Sequence, residues 1–184
     1  GAVLPLYDAL YKNENIKHIL TRHEQGAGHA GDGYARATGK AGVVFATSGP
    51  GATNLVTAIA TAQMDSIPMV FLTGQVARRY LGKQSFQEAN IVDIVKPVTK
   101  YSYQVKNVED IAREMKKAFR IANTGRKGPV LLDFPKDVTV DKTIFHYPVE
   151  VNYKVDRWGE SEGRYKQVAE QLKSAKKPLI FIGG

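Results

Sequence analysis

The chain has 184 residues, no cysteine, and 26 Lys+Arg against 18 Asp+Glu, a net charge of +8. This composition excludes disulfides, thiolate chemistry and cysteine-type zinc sites, and a chain of this length buries roughly 70% of its unfolded surface without covalent staples. No run approaches the roughly 20 apolar residues of a membrane-spanning helix, and residues 1–6 lack the basic start and cleavage site of a secretory leader.

In chain order, apolar runs at 17–21, 42–47, 68–73, 100–105, 129–134 and 178–182 predict buried strands. Helical periodicity falls between the first five, at 25–38, 52–63, 87–95 and 108–123. The alternation predicts an α/β fold, a mostly parallel sheet with helices on both faces. In the segment 108–123, Val108, Ile111, Ala112, Met115, Phe119 and Ala122 form one stripe, with Arg113, Lys116, Lys117 and Arg120 on the other side. That is a surface helix with a solvated basic face; the charge invites a nucleic-acid reading, but no RNP-like, KH-like or helix-turn-helix pattern accompanies it. From about 138 to 162 the periodicity fails, as in a surface linker. Helical spacing returns at 164–174, and 177–184 reads as a further buried strand running into Gly183-Gly184. The expected organisation is a domain at 1–145, a linker at 146–163, and the start of a second α/β domain at 164–184. The absence of an initiator Met suggests a segment of something longer, and the whole reads as cytoplasmic.

Three local patterns need weighing. Gly26-Ala27-Gly28-His29-Ala30-Gly31 matches G-x-G-x-x-G, but a dinucleotide site needs an acid about 20 residues later, at the end of the next strand. No Asp or Glu occurs between Asp32 and Asp65, so these glycines read as a small-residue helix face that admits close packing. Gly31-Asp32-Gly33 resembles the start of a magnesium–diphosphate motif, yet Mg²⁺ needs oxygen ligands from more than one place, and only Asn54 stands at a plausible spacing. His23 and His29 are six apart, against the four of a zinc-protease helix. More specific is Thr47-Ser48-Gly49-Pro50-Gly51-Ala52-Thr53-Asn54, a strand, glycine turn and helix start in eight residues. Its backbone N–H groups can hold polar or anionic atoms, or it is a plain structural turn. Glu24, taken alone, reads as a carboxylate at a helix N-terminus.

Together with Arg22-His23-Glu24-Gln25-Gly26-Ala27, the run from Asp32 to Gly39, Met64-Asp65-Ser66-Ile67-Pro68, Thr73-Gly74-Gln75-Val76, Ser85-Phe86-Gln87-Glu88-Ala89 and the run from Gly128 to Asp137, that turn carries a family signature. The chain resembles the N-terminal, pyrimidine-binding domain of the acetohydroxyacid (acetolactate) synthase large subunit, over essentially residues 1–137. The resemblance implies a thiamine-diphosphate-dependent carboligase that condenses pyruvate with a second 2-keto acid, releasing CO₂, in branched-chain amino-acid synthesis. It also implies a homodimer or higher assembly with the active site shared between subunits, and a possible regulatory small subunit.

In that family the glutamate at the position of Glu24 hydrogen-bonds N1′ of the cofactor's aminopyrimidine and exchanges a proton there, which readies the cofactor to attack a 2-keto acid. Such a carboxyl group works best where water is scarce, and Gly26, Ala27, Gly28 and Ala30 are suitably small and apolar. The resemblance further assigns Gln87 near the cofactor, Phe86 near the substrate channel and Gly1 to a loop at the reacting centre. Lys136 falls at the channel mouth, and Arg126 at a contact with FAD. Mg²⁺ and most FAD contacts belong, in the family, to domains beyond residue 184. Gly28 and Gly31 stand where alanine is common, a change that loosens the helix by up to about 1 kcal/mol each. Plant and fungal members carry Pro at the position of Ala77.

Overall fold

The computed structural model describes residues 1–148 and 162–182, and its contacts fall into two units, Gly1–Tyr153 and Lys154–Gly184. The first unit holds four parallel strands, β1 (Gly42–Ala46), β2 (Met69–Gln75), β3 (Tyr101–Gln104) and β4 (Pro129–Pro135), in the order β1-β2-β4-β3. Parallel neighbours need long crossovers, and helices supply them. Helix α1 (Leu4–Tyr11) and α2 (Glu24–Thr38) precede β1; α3 (Pro50–Thr53) and α4 (Val56–Met64) join β1 to β2. Helix α5 (Ile91–Val95) lies between β2 and β3, α6 (Ile111–Asn123) between β3 and β4, and α7 (Lys136–Val140) follows β4.

Alternation along the central strands sorts the core into two layers. Met69 and Phe71 of β2 and Leu131 of β4 face Leu55, Ile59, Ile91 and Val95. Val70, Val130, Leu132 and Phe134 point the other way, onto Ala118, Ile121 and Ala122 of α6 and Val138 of α7. A sheet covered on both faces is why β2 and β4 read as continuous apolar runs, and the expected α/β class is the one observed.

The glycines of α2 serve close approach. A Cβ on Gly28 would fall 2.3 Å from the Ala58 Cβ, and one on Gly31 would fall 2.6 Å from Val44 Cγ2 and 2.8 Å from Met69 Cε. Helix α2 therefore sits down on α4 and on the start of the sheet, as the small-residue face suggested. Its ends are capped in sequence-legible ways: His23 Nδ1 accepts from the Gln25 N–H at 3.1 Å, and Gly39, at φ 71°, closes it in the left-handed conformation.

Several expected elements differ. Residues 17–20 lie outside any strand, with Ile16, Ile19 and Leu20 exposed. An apolar run becomes a strand only by pairing, and here the segment is held instead by rings, His18 packing 5.3 Å from Tyr7 and 5.5 Å from Phe45. The run 178–182 is likewise not strand, its side chains from Leu179 to Ile182 being exposed; Gly183-Gly184 and most of the predicted linker fall outside the described residues. The helix expected over 87–95 starts only at Ile91, because Gln84 and Gln87 adopt φ of 54° and 60°, incompatible with a right-handed helix. The helix expected over 52–63 is broken into α3 and α4, and α1 and α7 were not foreseen. On α6, Arg113 pairs with Asp110 at 2.8 Å and with buried Glu114 at 3.3 Å, so part of the basic face carries its own counter-charge. In the second unit, α8 (Glu162–Ser174) matches the helical spacing read at 164–174.

Candidate active site

Ligands of open parallel sheets gather outside the carboxyl ends of the strands, and there the chemically interesting segments converge. Glu24 is the first residue of α2, half-buried. Asn54 reaches it across the turn that follows β1, its Nδ2 donating to Glu24 Oε2 at 3.0 Å. The other carboxylate oxygen, Oε1, faces Gly51: a Cβ there would fall 3.3 Å from Oε1 and 2.8 Å from Thr47 Cγ2. Gly51 thus lets the turn pack directly against Thr47 and the Glu24 carboxylate. The Thr47 hydroxyl is buried without a hydrogen-bond partner among the described residues, the kind of atom that calls for a ligand or water.

The turn has a second neighbour. Gly49 adopts φ 61°, and a Cβ on it would fall 2.7 Å from the Gln87 carbonyl oxygen and 2.9 Å from Gln87 Cα. The glycine turn is therefore wedged between Glu24 and Gln87, bringing together three segments that lie up to 63 positions apart. Gln87 sits in a tight loop braced by Glu88, whose carboxylate accepts from the backbone N–H of Ser85 at 2.9 Å and from that of Gly82. Those donors hold the Glu88 carboxyl below its ordinary range.

Beneath this loop lies a buried polar cluster. Asp133, fully buried on β4, accepts from Thr73 Oγ1 at 2.7 Å, Gln104 Nε2 at 2.9 Å and Gln75 Nε2 at 3.2 Å. Burial pushes its carboxyl up to about 6 against the pull of those three donors. Gln75 Nε2 also donates to the Ala89 carbonyl at 2.7 Å.

The remaining predicted site residues divide by their place in the fold. Phe86 is 88% exposed beside Gln87. Lys136 is exposed at the start of α7, one step past the carboxyl end of β4. Gly1 is exposed too, and Ala2 and Val3 after it cover Gly74 near the end of β2. Arg126 is apart from these, in the turn entering β4, where it donates to Ser66 Oγ at 2.8 Å and to the Gln63 and Met64 carbonyls at 3.1 and 3.2 Å. In that position it caps the C-terminus of α4. Asp32 of the Gly-Asp-Gly stretch is buried and bonded to Arg36 at 2.7 Å, a structural role. The sequence reading missed the Asn54–Glu24 pair, weighing Asn54 only as a distant metal ligand; nothing local signals a contact across 30 positions.

A family model described as the thiamine pyrophosphate enzyme N-terminal TPP-binding domain matches residues 1–94. The chain belongs to that family. It is 50% identical over 187 residues to the acetolactate synthase large subunit of Corynebacterium glutamicum. It is 50% identical over 189 residues to the isozyme 3 large subunit of Escherichia coli (strain K12), and 48% over 189 to the large subunit of Lactococcus lactis subsp. lactis. Each match covers all of this chain and 30 to 33% of the relative, so the chain spans about a third of the length of these proteins. At this turn the Glu24 carboxylate has one oxygen anchored by Asn54 and the other beside Gly51, a donor–acceptor set that a nitrogen heterocycle such as that of thiamine could use.

Proposed function

We propose that this chain supplies the proton-exchanging carboxylate of an acetolactate-forming carboligase, and that Glu24 is that group. The observation that carries the reading is the Asn54–Glu24 hydrogen bond beside the turn at 49–51. Bound thiamine diphosphate would supply the carbon nucleophile that attacks a 2-keto acid. This chain's residues do the rest at that end of the cofactor. Asn54 fixes Oε2 and so orients the carboxyl group; Oε1 then keeps its lone pairs for proton exchange with a ring nitrogen. Gly51 lets the turn that carries Asn54 come close to the carboxylate. Gln87, held against Gly49, would stand near the cofactor, with Phe86, Gly1 and Lys136 along the substrate approach.

The likeness to acetolactate synthase large subunits along the full chain favours pyruvate as donor and a second 2-keto acid as acceptor, within branched-chain amino-acid synthesis. The Mg²⁺ that would accompany the diphosphate, and most contacts to FAD, we assign to the part of such a protein beyond this segment, with Arg126 as a candidate FAD contact on this one. The assembly is a homodimer or higher, the active site shared between subunits, with a regulatory small subunit as partner. We assign it to the cytoplasm, where no nucleic acid or membrane takes part.

The test is the intact gene product, assayed for acetolactate from pyruvate with thiamine diphosphate, Mg²⁺ and FAD. Acetolactate formation is the expected result. A folded, cofactor-loaded protein that makes none would leave the fold in place and move the substrate to a related decarboxylase or carboligase.

A further inference from the structure

The loop that carries Gln87 is strained, and the strain has a visible anchor. Gln84 and Gln87 both hold positive φ, at 54° and 60°, a conformation that costs free energy for a residue with a side chain and persists only where surroundings over-determine it. Glu88 braces the loop from within. From outside, the loop is tied to the sheet by the bond from Gln75 Nε2 to the Ala89 carbonyl, two residues past Gln87.

Gln75 can make that bond in only one orientation of its amide. Its Oε1 accepts from the Val76 N–H at 2.9 Å, and its Nε2 divides two hydrogens between Ala89 and Asp133. Asp133 decides the matter from the other side. Gln75 and Gln104 both aim Nε2 at Oδ2 while Thr73 aims its hydroxyl at Oδ1. A carboxylate can accept at both oxygens at once, so it serves all three donors. Among the described residues it does so with no Lys or Arg as partner, and such a buried charge is unfavourable unless its hydrogen bonds return something. For the chain as a stable fold, an apolar side chain on β4 would serve more cheaply. What the carboxylate adds is a fixed amide at Gln75 and hence a fixed loop.

We propose that Asp133 is a positioning residue, which acts through Gln75 to hold the 85–89 loop and so to set Gln87 against the Gly49 turn. This rests on the reading that Gln87 stands at the cofactor, and it adds a source for that placement. Asp133 lies under the site, fully buried on the strand between those carrying Thr73 and Gln104.

The experiment uses the intact protein loaded with thiamine diphosphate and Mg²⁺. Gln75→Leu keeps bulk and leaves Asp133 its bonds to Thr73 and Gln104, so the fold survives. Amide hydrogen exchange at Ser85 and Glu88 should speed at least tenfold, while α2 and α6 exchange as before. The kcat should fall roughly ten- to hundredfold, the scale of a misplaced active-site group, with a smaller change in KM. Asp133→Ala should act on the loop as Gln75→Leu does. Asp133→Asn should rescue it to within about threefold of wild type, since its carbonyl can face both glutamine amides while its NH₂ donates to the Thr73 hydroxyl. If Asp133→Ala fails to fold, Gln75→Leu and Asp133→Asn carry the test. Unchanged exchange at 85–89 in Gln75→Leu, or an equal speeding across α2 and α6, overturns the proposal. Full activity of Glu24→Gln alongside a loosened loop in Gln75→Leu would instead overturn the role given to Glu24 and leave the clamp standing.

Discussion

The two walls of the site are built on opposite principles. On the Glu24 side, α2 is placed by contact: glycines at 28 and 31 let it rest directly on Ala58, Val44 and Met69, and the backbone there is relaxed. On the Gln87 side, a loop with two non-glycine residues at positive φ is held by hydrogen bonds to Glu88 and Gln75. A packed wall places a group firmly at little conformational expense. A hydrogen-bonded, strained wall places one in a position that packing alone would not produce. The difference predicts that the first wall fails by crowding, and the second by loss of single polar partners.

The largest effect should come from the carboxylate that the packed wall presents. Glu24→Gln in the intact enzyme should lower the rate by about 10²–10⁴, the scale for an acid–base group; steady-state assay with saturating cofactor measures it. Next is the seam between the walls. Gly49→Ala would put a methyl 2.7 Å from the Gln87 carbonyl at a residue with φ 61°, and should destabilise by about 1–3 kcal/mol while displacing Gln87. Thermal unfolding and activity of the same variant should fall together.

The buried cluster under the strained wall gives a pH signature. The Asp133 carboxyl is raised to about 6 in the folded chain from an ordinary value of 3.8. The folded state therefore holds its proton more tightly than the unfolded state between about pH 4 and 6. Its stabilising contribution is full below that window and is lost as pH rises through it. At about 1.4 kcal/mol per decade, the change is on the order of 3 kcal/mol. Denaturant titrations at pH 4.5 and pH 7 should show this slope in the wild type, and Asp133→Asn should flatten it. An unchanged slope in the variant would mean that Asp133 is better solvated than its burial indicates.

Gly28→Ala and Gly31→Ala sharpen the contrast on the packed wall. Helix propensity alone favours alanine by up to about 1 kcal/mol at each position. The 2.3 Å and 2.6 Å approaches oppose it, and overpacking of this kind costs about 1–3 kcal/mol. Both variants should melt earlier than wild type, and a higher melting temperature would show that α2 can back away without loss. The smallest effect is expected at Arg126→Ala, which removes an exposed cap from α4 and should cost about 1 kcal/mol or less. A flavin content that also falls would support its FAD contact.

The packed wall was legible in the sequence and the strained wall was not. Strands β1, β2 and β4 and helix α6 announce themselves by apolar runs and by one stripe at helical spacing, because both faces of the sheet are covered. The glycines of α2 were readable as a close-approach face from their spacing alone. The loop at 82–89 was not readable: a helix was expected from Gln87 onward, whereas the bonds of Glu88 within the loop and of Gln75 to Ala89 hold it with Gln84 and Gln87 at positive φ. The Asn54–Glu24 pair was hidden for a related reason, since it joins the starts of two helical segments whose relative placement the sheet decides. Residues 17–20 erred in the other direction, an apolar run with a strand's pattern and no strand to pair with.

The central claim, that Glu24 exchanges a proton with the cofactor, can be tested without knowing the second substrate. Deuterium exchange at C2 of bound thiamine diphosphate, quenched and read by NMR, reports that activation directly in the intact enzyme. In wild type it should outpace free cofactor by orders of magnitude, and in Glu24→Gln it should drop by about 10²–10⁴ with the cofactor still bound. Equal exchange in the two would contradict the claim and return Glu24 to the part of a carboxylate at a helix N-terminus.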